Sequence, residues 1–182
     1  MIVLSILFKR NKKTSRKKLE QFCTDAEIFI QVHYVREKSS GKYAFNTLKL
    51  KTDPDRVECK NWYAGHGNPD NFQEIVHLYM KESNISMEDI LQDYGLLSSC
   101  FTVHKNSFHS IEKWEAAAIC LGLNLNMAHT KALLETAGYA LTNSSETDLI
   151  LRFCFENHIY RREDVDHILK KLTDKTLEEI PS

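Results

Sequence analysis

No two of the five cysteines (Cys23, Cys59, Cys100, Cys120, Cys154) stand in C-x-x-C spacing, and their number is odd. This argues against a secreted disulfide framework and against a zinc site of standard spacing. Cys100, Cys120 and Cys154 lie among apolar neighbours, where a thiol behaves as a small hydrophobe. Reduced thiols in a cytoplasmic protein are the expectation. The apolar run IVLSILF at residues 2–8 is far too short for a bilayer, which takes ~20 residues. It has no basic segment before it and no small-residue cleavage site after it, so neither a membrane span nor a signal peptide is expected. G-x-S-x-G, P-loop and H-E-x-x-H patterns are all missing, and no Cys–His–Asn order stands out. The eight histidines are scattered. Cys59 and His66 lack the further ligands a shared metal would need. Neither an enzyme nor a cofactor or metal is expected.

An excess of charge is missing as well, since the net charge is −1. Its distribution is uneven. Residues 1–20 carry seven Lys or Arg against one acid, and residues 21–70 balance to zero. Residues 71–142 carry four Lys against eight acids, and residues 143–182 carry six cations against nine acids. A basic head therefore precedes an acidic body. Such a head suits an arm that neutralises phosphates or lies on an anionic surface. Its plainer reading is a solvated terminus.

What remains is an ordinary apolar share of 42% with a change of pattern near residue 70. Residues 15–24 predict a short helix through Leu19, Phe22 and Cys23. Residues 27–35 read as a strand, because Ile28, Ile30, Val32 and Tyr34 alternate onto one face and are β-branched or aromatic. Residues 37–42 contain Gly41 and read as a turn. Residues 43–50 give a second strand, with Phe45 and Thr47 opposed to Leu48 and Leu50. Asp53, Pro54 and Asp55 signal another turn, and residues 65–70, GHGNPD, form the clearest hinge. Trp62 and Tyr63 before that hinge are read as covering the hairpin.

Beyond the hinge the period becomes helical. Asp70 and Gln73 have the form of a capping box ahead of Phe72, Ile75, Val76, Tyr79 and Met80. Ser86 caps a second helix that Gly95 stops. A third helix is expected at 97–105. Ser110 is expected to cap a fourth, with Ile111, Trp114, Ala117, Ala118 and Leu121 inward. A fifth runs over 127–137 to Gly138, a sixth follows caps at Asn143 and Ser144, and a seventh spans 162–172. Arg161 and Arg162 are expected to pair with neighbouring acids. The predicted fold is α+β. A small N-terminal β-hairpin region (1–69) precedes a mainly α bundle of helix-turn-helix type (70–182).

Five short helices in this order suggest a repressor-type helix-turn-helix, in which the third helix enters the major groove. Certain residues carry a closer likeness. These are Phe72, Ala116-Ala117-Ala118 followed by Leu123-Asn124-Leu125, the run LLETAGYAL at 133–141, Ser144-Ser145, Asp148-Leu149-Ile150, and Asn157-His158-Ile159-Tyr160. Over about residues 71–170 the chain resembles the repressor-like (XRE-like) module that stands C-terminal to macro domains in some bacterial proteins. The resemblance implies a DNA-binding fold. Residues 1–70 lack the Gly-rich loops of a macro domain. The third helix of that module begins with Ser and is rich in Arg and Lys, whereas residues 98–106 here read SSCFTVHKN, with a single Lys.

Two functions follow as expectations. The first is a regulator, bacterial or phage, that binds double-stranded DNA. Ser98, Ser99, Thr102, Lys105 and Asn106 are then the groove contacts. Lys9, Arg10, Lys12, Lys13, Arg16, Lys17 and Lys18 supply the phosphate contacts. The second is a protein-interaction adaptor on the same scaffold, in phage defence or counter-defence, with a protein partner or a second copy of itself.

Overall fold

The described residues include seven α-helices and one 3-10 turn, with Asn61, Trp62 and Gly65 also helical, and no strand occurs among them. The structure, a computed structural model, describes residues 13–35, 61, 62, 65, 72–96 and 111–180. The helices are α1 (Arg16–His33), α2 (Phe72–Ser83), α3 (Met87–Tyr94), α4 (Lys113–Gly122), α5 (Met127–Thr136), α6 (Glu146–Glu156) and α7 (Arg162–Thr173). The 3-10 turn is Leu177–Glu179.

The expected α+β fold with an N-terminal hairpin is therefore corrected. Residues 27–33, read as the first strand, are the C-terminal half of α1. The reason is tertiary. Phe22, Cys23, Ala26, Phe29, Ile30 and His33 recur at helical spacing and form the face that packs inward. Cys23 and Ala26 are buried, and Phe29 meets Phe153 edge-on at 5.8 Å between ring centroids. Burial of that face outweighs the strand preference of Ile28, Ile30 and Val32, which is a weak prior at best. Ser15 caps the start of α1 and Tyr34 leaves it in extended conformation. The second strand (43–50) and the turn at 37–42 lie outside the described residues.

The helices after residue 70 follow the sequence pattern more closely. α2 buries Phe72, Ile75, Val76 and Tyr79. α3 starts at a reciprocal Ser86–Asp89 capping box and ends at Gly95 in the left-handed conformation, φ 65°. α4 begins at Lys113 after Glu112, whose N–H donates to the Glu115 carboxylate at 2.8 Å. The cap is thus not Ser110, which lies outside the described residues with Asp70 and the 97–105 segment. Every residue of α4 from Ala116 to Gly122 is buried, because α3, α5 and the 3-10 turn surround it. α5 starts at Asn126 and α6 at Ser145, one residue past the expected caps for α6.

One apolar cluster joins all seven helices, from Cys23 and Ala26 in α1 to Val165, Ile168 and Leu169 in α7. Each fully buried Leu or Ile in it contributes about 1.5–3 kcal/mol relative to exposure. α1 therefore shares its core with the C-terminal helices, packing on α6 and α7. Thr14 meets Asp164 and Glu20 meets Lys171, so α1 runs parallel to α7. The Val35 N–H donates to the Asn143 carbonyl at 2.9 Å, so α1 runs antiparallel to α6. No helix among the described residues is long and apolar enough to cross a membrane.

Candidate functional site

The first turn of α7 ties the chain just ahead of α1 to the end of α3. On one side, Thr14 Oγ1 donates to the buried Asp164 carboxylate and fixes the chain just ahead of α1. On the other, the Arg162 guanidinium donates to the carbonyl of Tyr94, the last residue of α3. Arg162 also pairs with Asp166 at 3.3 Å and with Glu178 of the 3-10 turn. The Tyr94 hydroxyl donates to the Tyr160 carbonyl, which holds the end of α3 against the α6–α7 connection. Residues two apart on a helix project to nearly opposite sides. The basic start of α1 and the exit of α3 toward residue 97 thus flank α7 with the width of one helix between them, about 10–12 Å.

The turn after α3 is a glycine C-cap. Gly95 takes a positive φ, and Leu96 then dips into the core with its N–H on the Leu91 carbonyl at 3.1 Å. A Cβ on Gly95 would stand 2.6 Å from Arg162 Nη1, so Arg162 lies directly over the turn. Ser98, Ser99, Thr102, Lys105 and Asn106 lie outside the described residues, as do Lys9, Arg10 and Lys12. Lys13, Arg16, Lys17 and Lys18 are described, and all four are exposed. They do not share one direction. Lys18 turns back over the Phe22 ring, 5.2 Å from its centroid. Arg16 lies on the α7 side, close enough to influence both Glu20 and Lys171. The first turn of α1 contains no acid, so nothing there offsets its partial positive charge.

Other residues of this surface were not singled out in the sequence. Lys170, Lys171 and His167 are exposed on α7. Lys171 donates to Glu20, and that hydrogen bond with its charge holds the Glu20 carboxyl below its ordinary range. The same bond raises Lys171. The adjacent lysines in the last turn of α7 were a visible signal, but their neighbour on α1 lies 151 positions away. Arg161 pairs with Glu163 at 3.1 Å and Arg162 with Asp166 and Glu178, in line with the expected pairing to neighbouring acids.

Two further polar clusters hold the scaffold. Lys113 and Asp148 form a buried ion pair at 2.8 Å, and Asp148 also accepts from the Thr142 N–H at 2.8 Å and its hydroxyl at 3.1 Å. Trp62 stacks on Tyr79 at 4.2 Å, with the Tyr79 hydroxyl bonded to His129 and the Trp62 indole N–H donating to Glu82 at 2.8 Å. Trp62 thus packs on α2, which corrects its reading as a hairpin cover. Among the described residues no group of three or more His, Cys, Asp or Glu is placed to hold a metal ion.

Compared with protein-family models, with curated proteins and with solved structures, the chain matches none.

Proposed function

We propose that this chain is a non-catalytic DNA-binding protein of helix-turn-helix type that regulates transcription in a bacterium or phage. The observation that carries the reading is the meeting at the first turn of α7. The exposed cations that open α1 and the Gly95 turn that leads into residues 97–106 flank a single helix. A duplex lying across that end would meet both at once. The capped α3, the left-handed Gly95 and the buried Leu96 fit the first helix and turn of a helix-turn-helix pair. The resemblance of residues 71–170 to the XRE-like module agrees with it. Phosphate binding would rest on the α1 cations, since residues 71–142 are acidic on balance.

Binding to a random 20-base-pair duplex across a salt series tests this. Wild type should bind at low salt with a steep slope. R16A/K17A should flatten that slope by about two, at about 0.9 per phosphate contact. Point substitutions are needed here, because deleting residues 1–20 would also remove the Thr14–Asp164 and Glu20–Lys171 contacts that seat α1. No binding by wild type at low salt overturns the reading.

A second reading, a protein adaptor on the same scaffold, is favoured by one observation. Ile28 and Val32, four apart on the outer face of α1, are 54% and 71% exposed, and Val35 just beyond its end is 59% exposed. Such a stripe suits a protein partner. Failure of DNA binding, with loss of a protein complex in I28D/V32D, would select it.

A further inference from the structure

We infer that the 3-10 turn after α7 is an exchangeable strap, which seats in the matching groove of a second copy so that the chain dimerises by mutual exchange. This assembly is independent of whether the chain binds DNA.

Residues 176–180 are a unit with their own cap. The Thr176 N–H and hydroxyl both donate to the Glu179 carboxylate, at 2.7 and 2.9 Å. These bonds travel with the strap wherever it goes. Its ties to the helices are of a different kind. Leu177 and Ile180, three residues apart, are buried where the turn packs on α4 and α7. The Leu177 N–H donates to the Asp166 carboxylate at 2.8 Å, and Glu178 pairs with Arg162. Asp166 and Arg162 stand one helical turn apart on α7 and pair with each other at 3.3 Å. The groove therefore asks for two apolar anchors, one free N–H and one carboxylate in a fixed order. A second copy brings that same set and fits by construction.

The hinge favours exchange. Only Asp174 and Lys175, both exposed, join the strap to α7. Asp174 ends the helix in the left-handed conformation, φ 58° and ψ 14°, with its N–H on the Lys170 carbonyl at 3.1 Å. A Cβ makes that conformation costly, which is why glycine is usual at such a helix end. This reversal sends the strap back along α7, so that Leu177 reaches Asp166. With Asp174 in the right-handed region, α7 runs on past Thr173 and the strap points away from its own groove. Seated in a second copy, it recovers every contact it left, and the second strap fills the vacated groove. A closed two-fold exchange of identical elements thus keeps the native contacts and relieves the turn in both copies. Short hinges under strain favour such exchange.

Sedimentation velocity of the full chain over a concentration series tests this, with far-UV circular dichroism confirming that each variant folds. Wild type should show a dimer that grows with concentration. D174A makes the left-handed turn costlier and should tighten the dimer by about tenfold. D174G takes the turn freely and should weaken it. R162E and E178R each set like charges in their own groove. Exchange between these two variants pairs opposite charges in both grooves, so their equimolar mixture should dimerise more tightly than either alone. I28D/V32D, on the outer face of α1, should dimerise like wild type. Wild type and D174A that both stay monomeric throughout overturn the inference. So does a dimer that I28D/V32D abolishes and the Asp174 variants leave unchanged, which would put the interface on α1. If R162E or E178R fails to fold, the opposite shifts of D174A and D174G still decide.

Discussion

Lys113 and Asp148 show how much a single pair can decide. Both are buried, and they lie 35 positions apart at the starts of α4 and α6. A buried charge left alone is expensive, whereas a pair with further hydrogen bonds is tolerable. Asp148 has those further bonds from Thr142. Lys113→Met should therefore lower stability by about 3 kcal/mol, because the carboxylate stays buried without its cation. Urea unfolding would measure this, as a lower midpoint with an unchanged slope. In the sequence, Lys113 was one charge ahead of an apolar run and Asp148 one acid in the first turn of a predicted helix. Nothing local connects them, since an ion pair is a property of two positions and a fold.

The helical elements were legible wherever their signals are local. Ser86 with Asp89, and Gly95 as the stop, define α3 within ten residues of chain. Gly95 carries a sharp expectation. Gly95→Ala puts an L side chain at φ 65° and its Cβ against Arg162, so a loss of about 1–2 kcal/mol or more is expected. Thermal unfolding would read it, and the DNA salt slope should change with it if Arg162 no longer steadies the exit of α3. α1 was half legible. Its first turns were read as helix, but residues 27–33 alternate like a strand and also repeat like a helix. Two periods can fit a short apolar segment, and only the face that meets α6 and α7 chooses between them.

At the scale of the molecule, burial sets the reactivity of the thiols. Cys120 and Cys154 are fully buried, and burial pushes both far above the ordinary thiol value of 9.0. Cys23 is raised for the same reason, on α1. The thiolate is the nucleophile, so these three should resist alkylation in the native state at pH 8 and react only on unfolding. Mass mapping of iodoacetamide-labelled peptides would check it, and rapid native labelling of Cys120 would contradict the packing of α4. A raised native value means the folded chain keeps protons that the unfolded chain releases. The stability this confers is complete below pH 9 and declines as pH rises above it, by about 1.4 kcal/mol per pH unit for each fully buried thiol. Denaturation midpoints at pH 8 and pH 10 should differ in that direction.

The sequence by itself determined the cap and stop of α3, the existence of the helices seen after residue 70, much of their apolar faces and the basic head. Those depend on neighbours within a turn or two. Tertiary structure decided the rest. It made a helix of the expected strand, drew the start of α1 alongside α7 through contacts 150 and 151 positions long, and set the exit of α3 on the other flank of that helix. Such choices rest on which faces bury together, and no window of the chain contains both partners.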